Sequence, residues 1–244
     1  MNADQPLRPA NIANIVAINQ GKRPFTLTPP APRPLTVDEF IAARDGGATV
    51  IDARSEAEFG EGFVPGSINV QLASTEFEQR VGWLTDPEAP LLLVASNSGA
   101  ADAALQKLAF VGIDSRVVGY LRDGVAGWSL ADHDLSSIGS VSVETLGQTR
   151  VEEPTTQILD VREAGEYAAG RIPGAFGLSF KRFDTHLDEL DLDRSRPVHA
   201  ICKTGMRSST ACSLLRRRGF DLPVNVLGGM KAWEEAGLPV EPAS

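Results

Sequence analysis

The sequence predicts an α/β fold made of two similar units in tandem, each a parallel sheet flanked by helices. One observation is an internal repeat: residues 50–70, VIDARSEAEFGEGFVPGSINV, align without a gap with residues 158–178, ILDVREAGEYAAGRIPGAFGL. A second pair follows in the same order, because residues 91–113 align with residues 198–220. Ordered blocks of this kind indicate a duplication of about 100 residues, which is an ordinary domain size.

The elements of each unit follow from short apolar runs rich in β-branched residues, which are typical of buried parallel strands. The runs are TVIDA and LLLVA in the first unit, and QILDV and PVHAI in the second. LLLVA and PVHAI each lead into a short glycine-containing loop and then a helical pattern, and each unit ends in a glycine–tryptophan stretch. Strand, loop and helix in repetition predict a parallel sheet covered on both faces.

The domain boundaries are predicted from composition and from the repeat. Residues 1–34 form a proline-rich N-terminal arm, with a short helix whose apolar face carries Ile12, Ile15 and Val16 and which ends near Gly21. Residues 35–137 are the first unit and residues 138–244 are the second, with residues 129–140 as the linker.

Composition limits the classes of partner. Hydrophobic residues make up 42% and charged residues 23%, as in ordinary globular proteins. No apolar run approaches the roughly 18 residues that span a membrane, and no apolar signal core opens the chain. We therefore predict a cytoplasmic protein that binds no membrane. The net charge of −9, without a basic stripe, argues against binding to nucleic acid.

The candidate nucleophile is Cys202, one of two cysteines, at the carboxyl end of a predicted strand. Sites in α/β sheets form at such ends. A helix predicted to begin near Arg207 directs its N–H groups and positive dipole end at the thiol, and Lys203 adds a further positive charge. Gly205 lets the loop turn tightly so that N–H groups converge on an anion. The pattern predicts an anionic, nucleophilic sulfur.

The remaining chemical groups have weaker patterns. Cys212 lies within the helical pattern and is interpreted as a buried structural residue, with no disulfide to Cys202 in a reducing compartment. His133, His186 and His199 share no metal-ligand spacing, so neither a metal site nor another cofactor is predicted. His199 could act as a base for Cys202, although a packing role is favoured.

Asp160 and Arg162 could also be catalytic residues. The first unit repeats them as Asp52 and Arg54, but that unit has no cysteine. We therefore interpret Asp160 and Arg162 as supporting residues that brace the scaffold through an ion pair.

The motifs of the second unit resemble a known family. LDVREAGEYAAGRIPGA, CKTGMRS and LGGMKAW resemble the successive motifs of a rhodanese domain and cover nearly all of residues 138–244. The resemblance implies a parallel sheet with helices on both sides. It also implies that Cys202 takes up a sulfane sulfur as a persulfide and passes it to a thiophilic acceptor. The substrate-binding loop would consist of Lys203, Thr204, Gly205, Met206 and Arg207.

The first unit, residues 35–137, resembles the same family but departs from it at the loop. The alignment places Ala95 under Cys202 and Ala100 under Arg207, so this unit is predicted to be an inactive rhodanese-like domain. Four residues separate Cys202 from Arg207, whereas the related phosphatases and arsenate reductases have five. The shorter loop suits one sulfur atom better than a phosphate group.

The N-terminal stretch RPANIANIVAINQGKRPF is similar to the end of the metallo-β-lactamase-fold domain in persulfide dioxygenase–rhodanese fusions. That similarity implies a persulfide dioxygenase partner, although the metal-binding histidine motifs of that fold are absent from the sequence. The resulting hypothesis is a sulfurtransferase that uses thiosulfate or a small persulfide as donor. The alternative is a non-catalytic sensor or partner-docking module.

Overall fold

A computed structural model describes residues 12–242 and divides them into two compact units. The first unit comprises the chain up to residue 55 together with residues 63–136, and the second comprises residues 56–62 and the chain from residue 137 onward. Each unit contains a five-stranded parallel sheet, which confirms the predicted α/β class. Residues 1–11, which begin the predicted arm and the stretch similar to the dioxygenase fusions, lie outside the described residues.

The first sheet has the order β1-β5-β4-β2-β3, and every neighbouring pair is parallel. Its strands are β1 (Pro34–Leu35), β2 (Thr49–Asp52), β3 (Ile68–Asn69), β4 (Leu91–Val94) and β5 (Val117–Leu121). The helices of this part of the chain are α1 (Ile12–Asn19), α2 (Val37–Asp45), α3 (Glu56–Glu61), α4 (Phe77–Leu84), α5 (Ser98–Phe110) and α6 (Gly124–Leu130). Of these, α3 groups with the second unit.

The second sheet repeats this arrangement with the order β6-β10-β9-β7-β8. Its strands are β6 (Gly139–Val141), β7 (Gln157–Asp160), β8 (Phe176–Gly177), β9 (Val198–Ile201) and β10 (Pro223–Val226). The helices are α7 (Val143–Glu152), α8 (Ala164–Ala169), α9 (Phe183–His186), α10 (Met206–Arg217) and α11 (Gly229–Glu235). Equivalent strands occupy equivalent places in both sheets, as a duplicated unit requires.

The predicted N-terminal helix is confirmed, because α1 runs from Ile12 to Asn19 and Gly21 follows with a φ of +67°. Two later parts of the predicted arm contact other elements of the first unit. The Phe25 ring lies 6.1 Å from the Phe110 ring, and Pro34 begins β1 beside β5.

The predicted linker at 129–140 is wrong at both ends. Helix α6 includes residues 129 and 130, and β6 includes residues 139 and 140, so only residues 131–138 lie between them. The polar composition of this stretch resembles a linker, but α6 continues through Leu130, and parallel pairing with β10 places Gly139 and Ser140 in β6.

The core of the second unit explains where the candidate loop lies. All four residues of β9 are buried, and β9 pairs with β7 on one side and β10 on the other. A central strand without a solvent-facing side needs helices on both faces, and α10 and α11 follow β9 and β10 directly. Buried apolar residues from these elements form one cluster that includes Ile201, Val226 and Trp233. Among residues 12–242, no helix is long and apolar enough to cross a membrane.

Candidate active site at the Cys202 loop

Cys202 directly follows β9 and is only 1% exposed. Its Sγ atom accepts a hydrogen bond from the backbone N–H of Gly205 over 3.1 Å. Helix α10 begins at Met206, one residue before the predicted start, and no side chain caps its N-terminus among the described residues. The sulfur therefore lies at the positive end of a three-turn helix, where negative charge is favoured.

The loop has a left-handed turn at Gly205, whose φ is +109°. A side chain at this position would be strained, because residues with a Cβ rarely adopt positive φ. Lys203 and Thr204 are exposed, whereas Met206 and Arg207 are half-buried. The loop thus presents one cation, Lys203, to solvent close to the buried sulfur.

A second loop supports the first from the adjacent strand. The backbone N–H groups of Met230 and Lys231, in the first turn of α11, donate to the carbonyl oxygens of Cys202 (2.7 Å) and Lys203 (3.1 Å). Gly229 allows this approach, because a Cβ at that position would clash with both carbonyl groups. The LGGMKAW motif therefore holds the backbone of the cysteine loop in place.

Arg207 forms a bidentate ion pair with Glu166 of α8. Its Nη1 and Nη2 atoms donate to the two carboxylate oxygens over 2.6 Å and 2.8 Å. These hydrogen bonds lower the pKa of Glu166 to about 2 and raise the pKa of Arg207 above its ordinary value. The resemblance implied that Arg207 belongs to the substrate-binding loop, and the structure adds a carboxylate, Glu166, that fixes its guanidinium.

Asp160 and Arg162 form a buried ion pair at the end of β7. Arg162 Nε and Nη2 lie 2.9 Å and 2.7 Å from the two oxygens of Asp160, and Nη2 also donates to the carbonyl of Gly170. The first unit contains the same pair, with Arg54 Nη2 at 2.6 Å from Asp52 Oδ2. Its presence in both units supports the interpretation that it braces the scaffold.

The other two candidate groups are buried in the fold. Cys212 is fully buried, burial raises the pKa of its thiol, and both cysteines are free thiols. His199 Nδ1 donates to the carbonyl of Gln157 over 3.3 Å, and burial lowers the pKa of the His199 ring. Both residues therefore have the structural roles that the sequence favoured.

The sequence model of the rhodanese-like domain family matches this chain twice, at residues 36–131 and at residues 144–236. The chain belongs to the rhodanese-like domain family.

Three of the similar proteins match about one rhodanese-like domain of this chain each. A sulfurtransferase from Allochromatium vinosum is 30% identical over 103 residues, which cover 42% of this chain and 94% of that protein. The thiosulfate sulfurtransferase GlpE of Actinobacillus succinogenes is 33% identical over 93 residues, covering 38% and 82%. A rhodanese-like domain protein of Staphylococcus aureus with a solved structure is 31% identical, covers 44% of this chain and 100% of its own, and has a TM-score of 0.40.

The first rhodanese-like domain has a different loop at the equivalent place. Ala95 follows β4 where Cys202 follows β9, and it is buried. The side chain of Asn97 accepts a hydrogen bond from the backbone N–H of Ala100 over 2.9 Å and caps α5. The Asn97 side chain therefore caps α5, whereas at the N-terminus of α10 the Gly205 N–H donates to Cys202 Sγ.

The sequence patterns did not predict three residues that lie at or near the Cys202 loop in the second rhodanese-like domain. Glu166 is repeated as Glu58 in the first unit, but this repetition does not indicate which residue Glu166 pairs with. Ser208 and Asn225 contact each other near Cys202, with Ser208 Oγ 2.6 Å from Asn225 Oδ1 and 3.5 Å from the sulfur. Ser208 is the last residue of the CKTGMRS motif, and its place in that motif was the one signal available for it.

Proposed function

We propose that this chain is a rhodanese-type sulfurtransferase that carries a sulfane sulfur as a persulfide on Cys202. The observation that carries the proposal is the contact of Cys202 Sγ with the Gly205 N–H at the N-terminus of α10. Relatives named sulfurtransferases support the reaction class. The donor, thiosulfate or a small persulfide, is part of the proposal.

The first half of the cycle loads the cysteine. The Cys202 thiolate attacks the outer sulfur of thiosulfate, the sulfur–sulfur bond of the donor breaks, and sulfite leaves with the electron pair. With a small persulfide as donor, a thiolate leaves in place of sulfite. In both cases Cys202 becomes a persulfide anion, and charge and electrons balance without a metal or an organic cofactor.

The second half transfers the sulfur. A thiophilic acceptor such as cyanide or a thiolate attacks the outer sulfur, the Cys202 sulfur–sulfur bond breaks, and its electron pair returns to Sγ. Residues 203–207 supply the backbone N–H groups that hold the transferred sulfur. Exposed Lys203 attracts the anionic donor, and Arg207, fixed by Glu166, adds positive charge beside the loop.

The first rhodanese-like domain has no transfer role in this proposal. Ala95 cannot form a persulfide, and Asn97 caps α5 where an anion would bind. The first domain keeps the buried Asp52–Arg54 pair and the sheet, so it is a stable scaffold without the reacting group.

The proposal is tested by measuring transfer of sulfur from thiosulfate, and separately from a small persulfide, to cyanide. We expect Cys202→Ala to lose transfer entirely, because no other thiol in the described residues lies at a loop. The matched control is Cys212→Ala, which removes the buried thiol and should retain transfer. Wild-type protein that transfers from neither donor, or a Cys202→Ala variant as fast as wild type, would favour the non-catalytic module.

A further inference from the structure

The hydroxyl group of Ser208 has one proton but three acceptors within reach. Its Oγ lies 2.6 Å from Asn225 Oδ1, 3.0 Å from the carbonyl oxygen of Gly205 and 3.5 Å from Cys202 Sγ. Ser208 and Asn225 are both fully buried, so water does not compete for these contacts. The direction of this one proton decides whether the Ser208 hydroxyl donates to the sulfur in addition to the Gly205 N–H.

The amide of Asn225 indicates how that direction is set. As placed, its Oδ1 faces Ser208 while its buried Nδ2 has no hydrogen-bond partner among residues 12–242. The two ends of an amide are nearly identical in shape and are assigned from their hydrogen bonds. Turning the amide over gives Nδ2 an acceptor in Ser208 Oγ and places Oδ1 where Nδ2 stood, and a buried C=O group without a partner is less rare in proteins than a buried N–H group without one. The Ser208 proton is then free to point toward Gly205 or Cys202.

We propose, on the basis of the proposed function, that Ser208 is a catalytic residue for sulfur discharge and that Asn225 is its positioning residue. When the acceptor attacks the outer sulfur, the electron pair of the broken sulfur–sulfur bond moves onto Cys202 Sγ. The Ser208 O–H donates to that sulfur as negative charge develops, and it donates no proton outright. Asn225 donates its Nδ2–H to the hydroxyl oxygen of Ser208 and so fixes the orientation of that hydroxyl group.

The hydrogen bond acts selectively because the charge on Sγ changes during the step. While Sγ is bonded to the outer sulfur and carries little charge, the carbonyl of Gly205, at 3.0 Å, is the better acceptor for Ser208. A thiolate is charged, and hydrogen bonds to charged acceptors are roughly twice as strong as those to neutral ones. Ser208 therefore stabilises the leaving thiolate more than the persulfide, which accelerates discharge.

The two half-reactions give a readout that a structural role would not change. Loading is followed by sulfite release from thiosulfate, and discharge by thiocyanate formation from persulfide-loaded protein at saturating cyanide. Both are measured in single turnovers at a pH where the loading rate no longer rises. In Ser208→Ala the ratio of discharge to loading should fall about tenfold. Loss of the Ser208 hydrogen bond destabilises the thiolate that leaves during discharge. It does not slow loading, in which a thiolate that has already formed attacks the sulfur donor.

Two further variants test the roles separately. Ser208→Thr keeps the hydroxyl group and should restore most of the ratio. Asn225→Leu has a similar volume and no hydrogen-bonding group, and it should lower the ratio in wild type but not further in the Ser208→Ala background. Ser213→Ala is the matched control, because its hydroxyl is also buried in α10 but donates to the carbonyl of Thr210. This control should leave the ratio unchanged.

The outcomes separate this inference from the proposed function. If wild-type protein never loads sulfur, the proposed function fails before Ser208 is tested. If wild type loads and discharges while Ser208→Ala keeps the wild-type ratio, the inference is wrong and the serine only packs. Additive effects of the serine and asparagine variants would contradict the positioning role of Asn225. If Ser208→Ala does not fold, the ratio in Asn225→Leu decides alone.

Discussion

At the scale of single residues, the contact between Arg207 and Glu166 most changes how the loop is understood. The sequence places Arg207 five positions after Cys202 and gives no reason to pair it with a carboxylate 41 residues earlier. The pair is bidentate, and its side chains are 15% and 34% exposed. Such geometry holds the guanidinium in one orientation, so the position of this positive charge near Cys202 is fixed.

This pair predicts a pH dependence of stability. The pKa of Glu166 in the fold is lowered from its ordinary value of 4.5 to about 2, chiefly by hydrogen bonds from Arg207. A lowered carboxyl pKa stabilises the fold above the ordinary value, and this contribution is lost as the pH falls toward the folded-state value. Since Glu166 is partly exposed, Glu166→Gln should reduce the free energy of unfolding by only about 1 kcal/mol near neutral pH.

Urea unfolding of wild type and Glu166→Gln from about pH 6 to about pH 3 checks this prediction. The difference between the two proteins should shrink below the ordinary pKa of 4.5. Glu234→Gln, which alters an exposed glutamate of α11, should show no such trend and serves as the control. A Glu166→Gln effect that stays constant or grows toward acid would show that the ion pair is not the source.

At the scale of elements, the site depends on two loops that meet at the carboxyl ends of β9 and β10. The first turn of α11 donates two backbone hydrogen bonds to the cysteine loop, at the carbonyls of Cys202 and Lys203. Helix N-termini have unpaired N–H groups that need acceptors, and here the neighbouring loop supplies them. Gly229 lies at the point of closest approach, where a side chain would meet backbone atoms that cannot move aside.

Gly229→Ala should therefore destabilise the second domain by about 3 kcal/mol and abolish sulfur transfer. The matched control is Gly174→Ala, since Gly174 also has a positive φ, +76°, but a Cβ there would contact nothing within 4 Å. The control should cost only the backbone strain, about 1 kcal/mol, and keep its activity. Thermal unfolding and the cyanide assay measure both effects. Equal losses in the two variants would contradict a role for close packing at Gly229.

At the scale of the whole molecule, the duplication made the fold predictable. The four apolar runs that were predicted to be strands are β2, β4, β7 and β9 in the structure. They were recognisable because central parallel strands are apolar on both faces. The other six strands, β1, β3, β5, β6, β8 and β10, escaped prediction. Three of them, β1, β3 and β8, have only two residues, and so short a pairing is set by the neighbouring strand rather than by its own residues. The order of strands within each sheet is likewise a tertiary property that no local pattern encodes.

The site was predictable only where it is local in sequence. Cys202 and Gly205 belong to one loop, and their spacing from the predicted helix was sufficient to place them. Glu166 and Asn225 come from other elements, 41 residues before Arg207 and 17 residues after Ser208. Folding brings them to the loop, and neither has a sequence neighbour that indicates its partner.

Comparison of the two domains separates scaffold from chemistry. Both keep the buried aspartate–arginine pair, the parallel sheet and the helix after the loop. The first domain has Ala95 and the Asn97 cap at its loop, and the second has Cys202, whose Sγ accepts the Gly205 N–H at the helix N-terminus. The proposed sulfur transfer therefore depends on one sulfur atom, Cys202 Sγ, and it can be tested at that atom.

The most direct test is mass spectrometry of the intact protein after incubation with thiosulfate or a small persulfide, followed by peptide mapping. We predict that one sulfur atom is added per chain, that it lies on Cys202, and that cyanide removes it. Cys202→Ser should gain none, and Cys212→Ser should gain as much as wild type. Wild-type protein that gains no sulfur, or that carries it on Cys212, would contradict the account.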